Sequence, residues 1–141
     1  MRHTQIAFSF FFSVLLSMNI FANIEMLKLD PGFKISIFAS DLDQPRQMIE
    51  SKNGTIFIGE RSGQIIALLD SDGNGKADSK RVIADDLTYS TGVSIFEGDL
   101  YFSEISKIWK IQDIENWLQK NSSGFPEKIL VTKDLPEDKW H

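Results

Sequence analysis

The feature that most constrains this chain is a recurring dipeptide. Asp-Leu returns as Asp41-Leu42, Asp86-Leu87 and Asp134-Leu135, which sets a period of about 45 residues. Between the marks the same order repeats. In the first stretch, apolar-rich runs at 44–50, 55–59, 64–69 and 80–84 read as strands, with Asn53-Gly54 as a tight turn. In the second, the runs are 92–96, 100–103, 107–111 and 128–132, with Glu97-Gly98-Asp99 as the turn. Each second strand is followed by a glutamate, Glu60 or Glu104, and each third strand reaches an aspartate, Asp70 or Asp113. Four short strands per period is the pattern of a β-propeller blade. The expected fold is therefore all-β, a β-propeller with blades at 41–85 and 86–133 and a third starting at 134. Closed propellers typically need 4–8 blades, so the expectation is an N-terminal fragment of a longer protein, about two blades long.

Two stretches stand outside the repeat. Residues 113–120 place Ile114, Trp117 and Leu118 at helical spacing, and Ser122-Ser123-Gly124 ends that pattern. Trp117 is expected to pack over a blade edge. Ahead of the first blade, Pro31-Gly32 makes a turn, and the alternation of Phe33, Ile35, Ile37 and Ala39 predicts a half-buried strand over 33–39.

Residues 1–22 read as a signal peptide. Arg2 supplies the positive end, residues 6–16 the apolar region, and Ile20-Phe21-Ala22 the cleavage site. The alternative is an uncleaved membrane anchor. Cleavage after Ala22 would leave 23–141 as a partial propeller with no stable membrane span, exported to a bacterial periplasm or secreted. The absence of cysteine rules out disulfides and thiolate chemistry. A net charge of -5 gives no footprint for nucleic acid. His3 falls in the leader, so His141 is the one mature imidazole and the one candidate general base near neutral pH.

The loop after the third strand of the first blade carries oxygen ligands at alternate positions: Asp70, Asp72, Asn74 and Asp78, with the carbonyl of Lys76 between them and Gly75 at the sharp turn. That spacing is what a Ca²⁺ loop needs. The twelfth position, however, is Arg81 and not the bidentate glutamate of an EF-hand, and a strand, not a helix, precedes the loop. It is either an isolated Ca²⁺ loop between strands or a polar loop whose side chains bond their own backbone.

Propeller ligands bind where loops lead into the innermost strands. Here those loops are 43–46, 88–91 and 136–141, carrying Arg46, Tyr89 and His141. Arg46 is either an anion-holding fork or a surface partner of Asp41 or Asp43. Tyr89 either reaches a ligand hydroxyl or covers the blade top. The chain holds no nucleophile triad, phosphate-binding glycine loop or zinc-spaced histidine cluster.

From about Leu29 onward the chain resembles the glucose/sorbosone dehydrogenase family, the soluble quinoprotein sugar dehydrogenases. The likeness rests on Leu42-Asp43-Gln44-Pro45-Arg46-Gln47-Met48 and on Asn53-Gly54-Thr55-Ile56-Phe57-Ile58-Gly59-Glu60-Arg61-Ser62-Gly63-Gln64-Ile65. The loop from Asp70 to Asp78, then Thr91-Gly92-Val93 and Asp99-Leu100-Tyr101-Phe102-Ser103-Glu104-Ile105, are similar to its sorbosone dehydrogenase branch. The resemblance implies a six-bladed propeller binding pyrroloquinoline quinone (PQQ), with Ca²⁺ polarising the quinone. It also implies oxidation of a sugar or aldehyde by hydride transfer to PQQ, with a histidine taking the hydroxyl proton and an acceptor such as a cytochrome taking the electrons. Where the family has a histidine pair, this chain has Trp140-His141, so the resemblance assigns the base to His141 if the second of the pair serves. It places the cofactor's own arginines, lysine and Ca²⁺ in later blades, which makes the Asp70 loop a structural site if it holds Ca²⁺. The alternative is a non-catalytic propeller of the same lineage, a binding module that lost its base. A Ca²⁺-binding adhesion propeller would need aspartate loops in several blades, and one is present.

Overall fold

The computed structural model describes residues 27–120 and 123–136. The expected leader, Trp140 and His141 lie outside the described residues. The chain divides into two compact units, Met1–Ile35 and Ser36–His141. The described part of the first is a turn in which Phe33 N–H donates to Asp30 O at 3.2 Å, with Gly32 at φ 95. Pro31 fixes the first central position of that turn and Gly32 supplies the positive φ that the second demands.

The second unit holds two four-stranded antiparallel sheets, each a simple meander. The first contains β1 (Pro45–Glu50), β2 (Ile56–Glu60), β3 (Gln64–Leu69) and β4 (Ser79–Ala84). The second contains β5 (Val93–Phe96), β6 (Asp99–Ser103), β7 (Ile108–Ile111) and β8 (Ile129–Thr132), with α1 (Ile114–Gln119) inserted before β8. These are the eight strands of the repeat, in repeat order. The hairpins follow local chemistry. Glu97 and Gly98 both take positive φ, 51 and 89, the primed turn whose twist matches a two-residue hairpin. In the longer β1–β2 loop, Ser51 Oγ accepts the N–H groups of Asn53 and Thr55, both at 3.2 Å.

Alternation decides which residues meet between the sheets. Phe57 on β2, Ile65 and Ala67 on β3 and Ile83 on β4 share one face. They form a single buried cluster with Val93, Leu100, Phe102 and Ile111 of the second sheet. Ile114 and Leu118 of α1 join this core, and Trp117 packs against it. Arg81 stacks over the Trp117 ring at 4.5 Å and donates to Leu118 O at 3.3 Å, so the helix binds the edge of the first sheet. Among the described residues no helix is long and apolar enough to cross a membrane.

The strand expected over 33–39 does not form. No ladder forms along it: Phe38 O accepts one N–H, from Ala77 at 2.8 Å, and Phe33, Ile35 and Ile37 are exposed. A strand lacking a ladder partner has nothing to satisfy its backbone except water. Within the second unit, Phe38 and Ala39 instead pack with Leu42 on Ile58, Ile66 and Leu68, covering the other face of the first sheet.

Candidate functional site

The repeat extends to backbone conformation. Asp41 and Asp86 take φ 58 and 57, and three residues on Gln44 and Tyr89 take φ 55 and 50. Left-handed backbone at a non-glycine residue is disfavoured by about 1–2 kcal/mol, so each loop needs partners to hold it. Both have a glutamate clamp at the same place, and a second bond whose acceptor differs by one position. Asp43 N–H donates to Glu60 Oε1 at 2.9 Å, and Thr88 N–H donates to Glu104 Oε2 at 3.0 Å. Arg61 N–H donates to Gln44 O at 3.0 Å, and Ile105 N–H donates to Thr88 O at 3.3 Å. The leucine of the mark ties back to the preceding blade. Leu87 N–H reaches Gly63 O at 3.1 Å, and Leu135 N–H reaches Ser106 O at 3.3 Å.

Between these loops, where β5 lies beside β1, opens a cleft of about 430 Å³. Arg46, Arg61, Tyr89, Thr91, Ser103 and Glu104 line it. Arg61 sits over the Tyr89 ring at 5.1 Å. Among the described residues Arg46 forms no ion pair with Asp41 or Asp43. Two guanidinium forks and a phenol ring on one rim suit a flat, anionic ligand. Gly59 makes the close fit: a Cβ there would stand 2.7 Å from Thr91 O on the cleft wall.

Glu104 is buried; its Oε1 accepts the Trp109 indole N–H at 2.6 Å, and Lys107 Nζ lies 3.6 Å from its Oε2. Burial pushes its carboxyl up. The Thr88 and Trp109 donors and the Lys107 charge together outweigh burial and hold it below the usual carboxylate value. A folded pKa below the unfolded one gives stability that is present in full above about 4.5 and lost as pH falls through the lowered folded value. Glu104→Gln is expected to lower neutral-pH stability by about 1 kcal/mol, the margin of a charged over a neutral acceptor. It should also flatten the acid limb of the urea midpoint below that pH. A variant whose acid limb stays parallel to the wild type would contradict this.

In the 70–78 loop the structure brings three carboxylates together. Asp70, Asp72 and Asp78 each offer an oxygen within 4.8 Å of the others. The same carboxylates accept the loop's own N–H groups: Gly75 and Asn74 donate to Asp70 at 2.9 and 3.1 Å, and Ser71 donates to Asp78 at 2.6 Å. The Gly75 donor, ahead of the others, holds the Asp70 carboxyl below its usual range. Asn74 Nδ2 donates to Asp72 at 2.8 Å, and Asn74 Oδ1 accepts Lys76 N–H at 2.9 Å. The loop is thus self-bonded and also carries a donor set suited to a hard cation. Its twelfth position, Arg81, is committed to Trp117.

Sequence reasoning found Arg46 and Tyr89 on the leading loops. It placed Thr91 on a leading loop without a role, missed Arg61 and Ser103, and noted Glu60 and Glu104 without a role. The signal for the glutamates was present, since they recur at the same place in both repeats. His141, the expected base, falls outside the described residues.

No protein-family model matches the chain. It is 29% identical over 116 residues to an uncharacterized protein of Borreliella burgdorferi, an alignment covering 79% of this chain and 29% of that protein. The match therefore spans just under a third of that relative's length. Among solved structures it is similar to the holo form of the PQQ domain of pyranose dehydrogenase from Coprinopsis cinerea. That match has a TM-score of 0.54 and 19% identity, over 60% of this chain and 21% of that one. The described fold is that of an all-β piece of such a propeller.

Proposed function

We propose that this chain is part of an exported bacterial quinoprotein oxidoreductase that oxidises a sugar or aldehyde, of sorbosone or aldose type, with PQQ as cofactor. The likeness of fold to a PQQ domain supports the cofactor class. The observation that carries the reading is Arg46, which lines the cleft beside Arg61 without an ion pair to its neighbouring aspartates. PQQ is a planar quinone with three carboxylates, and when bound it would supply a two-electron acceptor for the hydride, two electrons and one proton, that leaves the substrate carbon. Arg46 adds a carboxylate-binding fork on this rim to the arginines and lysine that the resemblance places in later blades, with Arg61 and Tyr89 beside it. His141 takes the proton from the substrate hydroxyl, and electrons pass on to an acceptor such as a cytochrome. The loop oxygens of Asp70, Asp72, Asn74, Asp78 and the Lys76 carbonyl hold a structural Ca²⁺.

Trp140 favours a second reading. It stands where the sorbosone-type enzymes have the first histidine of a pair, so a degenerate propeller that binds without turning over is the alternative.

The test uses the protein expressed as the whole product of its gene, loaded with PQQ and Ca²⁺. Dye reduction is followed with a panel of aldoses and sorbosone. Turnover that disappears in His141→Ala supports the enzyme and its base. Binding without turnover supports the second reading, and no binding overturns both. Calorimetric titration with Ca²⁺ should include, apart from the site that goes with the cofactor, one site that Asp72→Ala weakens about tenfold or more, as loss of one charged ligand does. An unchanged isotherm would leave the loop self-bonded only.

A further inference from the structure

The two repeated glutamates stand in the fold as a pair. Glu60 ends β2, and Glu104 follows β6 at the matching place. They are 2% and 8% exposed, among the most buried charged groups described. Buried carboxylates persist when hydrogen bonds replace their lost water. Here the replacing donors are specific. Each glutamate takes the N–H two residues beyond the repeated aspartate, Asp43 in one blade and Thr88 in the other. Each loop so held is the one whose backbone turns left-handed twice, at Asp41 and Gln44 or at Asp86 and Tyr89. Each delivers one side chain to the cleft, Arg46 just after Gln44, and Tyr89 itself. Ser62 Oγ completes the first clamp, donating to Asp43 O at 3.3 Å and lying 3.5 Å from Glu60 Oε2.

We propose that Glu60 and Glu104 are the positioning residues of this cleft, each fixing a strained loop so that Arg46 or Tyr89 meets the ligand. This rests on the reading of the cleft as the PQQ site. Neither glutamate needs to touch the ligand. Each acts through the N–H it accepts, and release of that N–H frees the loop to relax out of the left-handed region, taking the cleft residue with it.

The experiment uses the full gene product labelled with ¹⁵N, with two readouts: amide hydrogen exchange in the ligand-free protein, and PQQ affinity. In Glu104→Ala, exchange at Thr88 should rise about tenfold or more relative to Phe102 on β6, as expected when one charge-assisted bond is lost. PQQ affinity should fall about tenfold with it. Glu104→Gln keeps one acceptor oxygen but turns its amide N–H₂ toward either the Thr88 or the Trp109 donor, so both values should fall between those of wild type and Glu104→Ala. Glu60→Ala should act in the same way on Asp43 and on affinity. Protection lost evenly across β5 to β7, with PQQ affinity of the folded protein unchanged, would overturn the proposal and leave the glutamates as fold residues. So would failure of both alanine variants to fold. If the wild type binds no PQQ, the quinoprotein reading falls, and selective exchange at Thr88 and Asp43 alone then decides whether the clamps exist.

Discussion

Gly63→Ala is expected to lose about 4 kcal/mol of stability, from strain of about 1–3 kcal/mol in a positive-φ residue and a comparable overpacking term. Gly63 sits in the β2–β3 turn at φ 104, and a Cβ there would run into the Leu87 carbonyl oxygen. That neighbour is backbone and cannot step aside, because Leu87 N–H is bonded to Gly63 O at 3.1 Å. The substitution strikes the tie between the first blade and the loop leading into the second. Gly98→Ala is the control. Its φ of 89 carries the strain, but nothing lies within 4 Å of the added Cβ, so a loss of about 1 kcal/mol is expected. Chemical unfolding of both variants decides the matter. Equal losses would show that the contact between blades carries no weight.

Phe57→Ala is expected to lose about 4 kcal/mol, within the 3–5 usual for a fully buried phenylalanine. Its ring is 0% exposed and belongs to the cluster that joins both sheets. The cavity would open between the blades, so protection of amides should fall in β5 and β6 as well as in β2. A loss confined to the first sheet would mean that the sheets are not one cooperative body.

The repeat was legible because it is local. Strand β3, Gln64–Leu69, was readable to the residue, since its apolar run is bounded by Gly63 on one side and Asp70 on the other. The helix was readable from Ile114, Trp117 and Leu118, the residues that reach the core. The run from Phe33 to Ala39 misled because alternation states a preference for pairing and says nothing of a partner. The cleft was half legible. Loops leading into inner strands are a rule of the architecture, which found Arg46 and Tyr89. Arg61 sits in an ordinary turn, and only the approach of the Tyr89 loop from the next blade makes it a cleft residue. The glutamates' role was hidden for a related reason. Their partners lie 17 and 16 residues back, in loops whose left-handed turns are not written in composition.

The measurement that bears most directly on the account is a titration of the whole gene product with PQQ, followed by quenching of tryptophan fluorescence, for wild type and Arg46→Ala in parallel. The account predicts saturable binding at one site, weakened about tenfold by the substitution, the loss of one charge-assisted fork, with unchanged unfolding midpoints. Absence of saturable binding, or equal affinity in the two proteins, would contradict it.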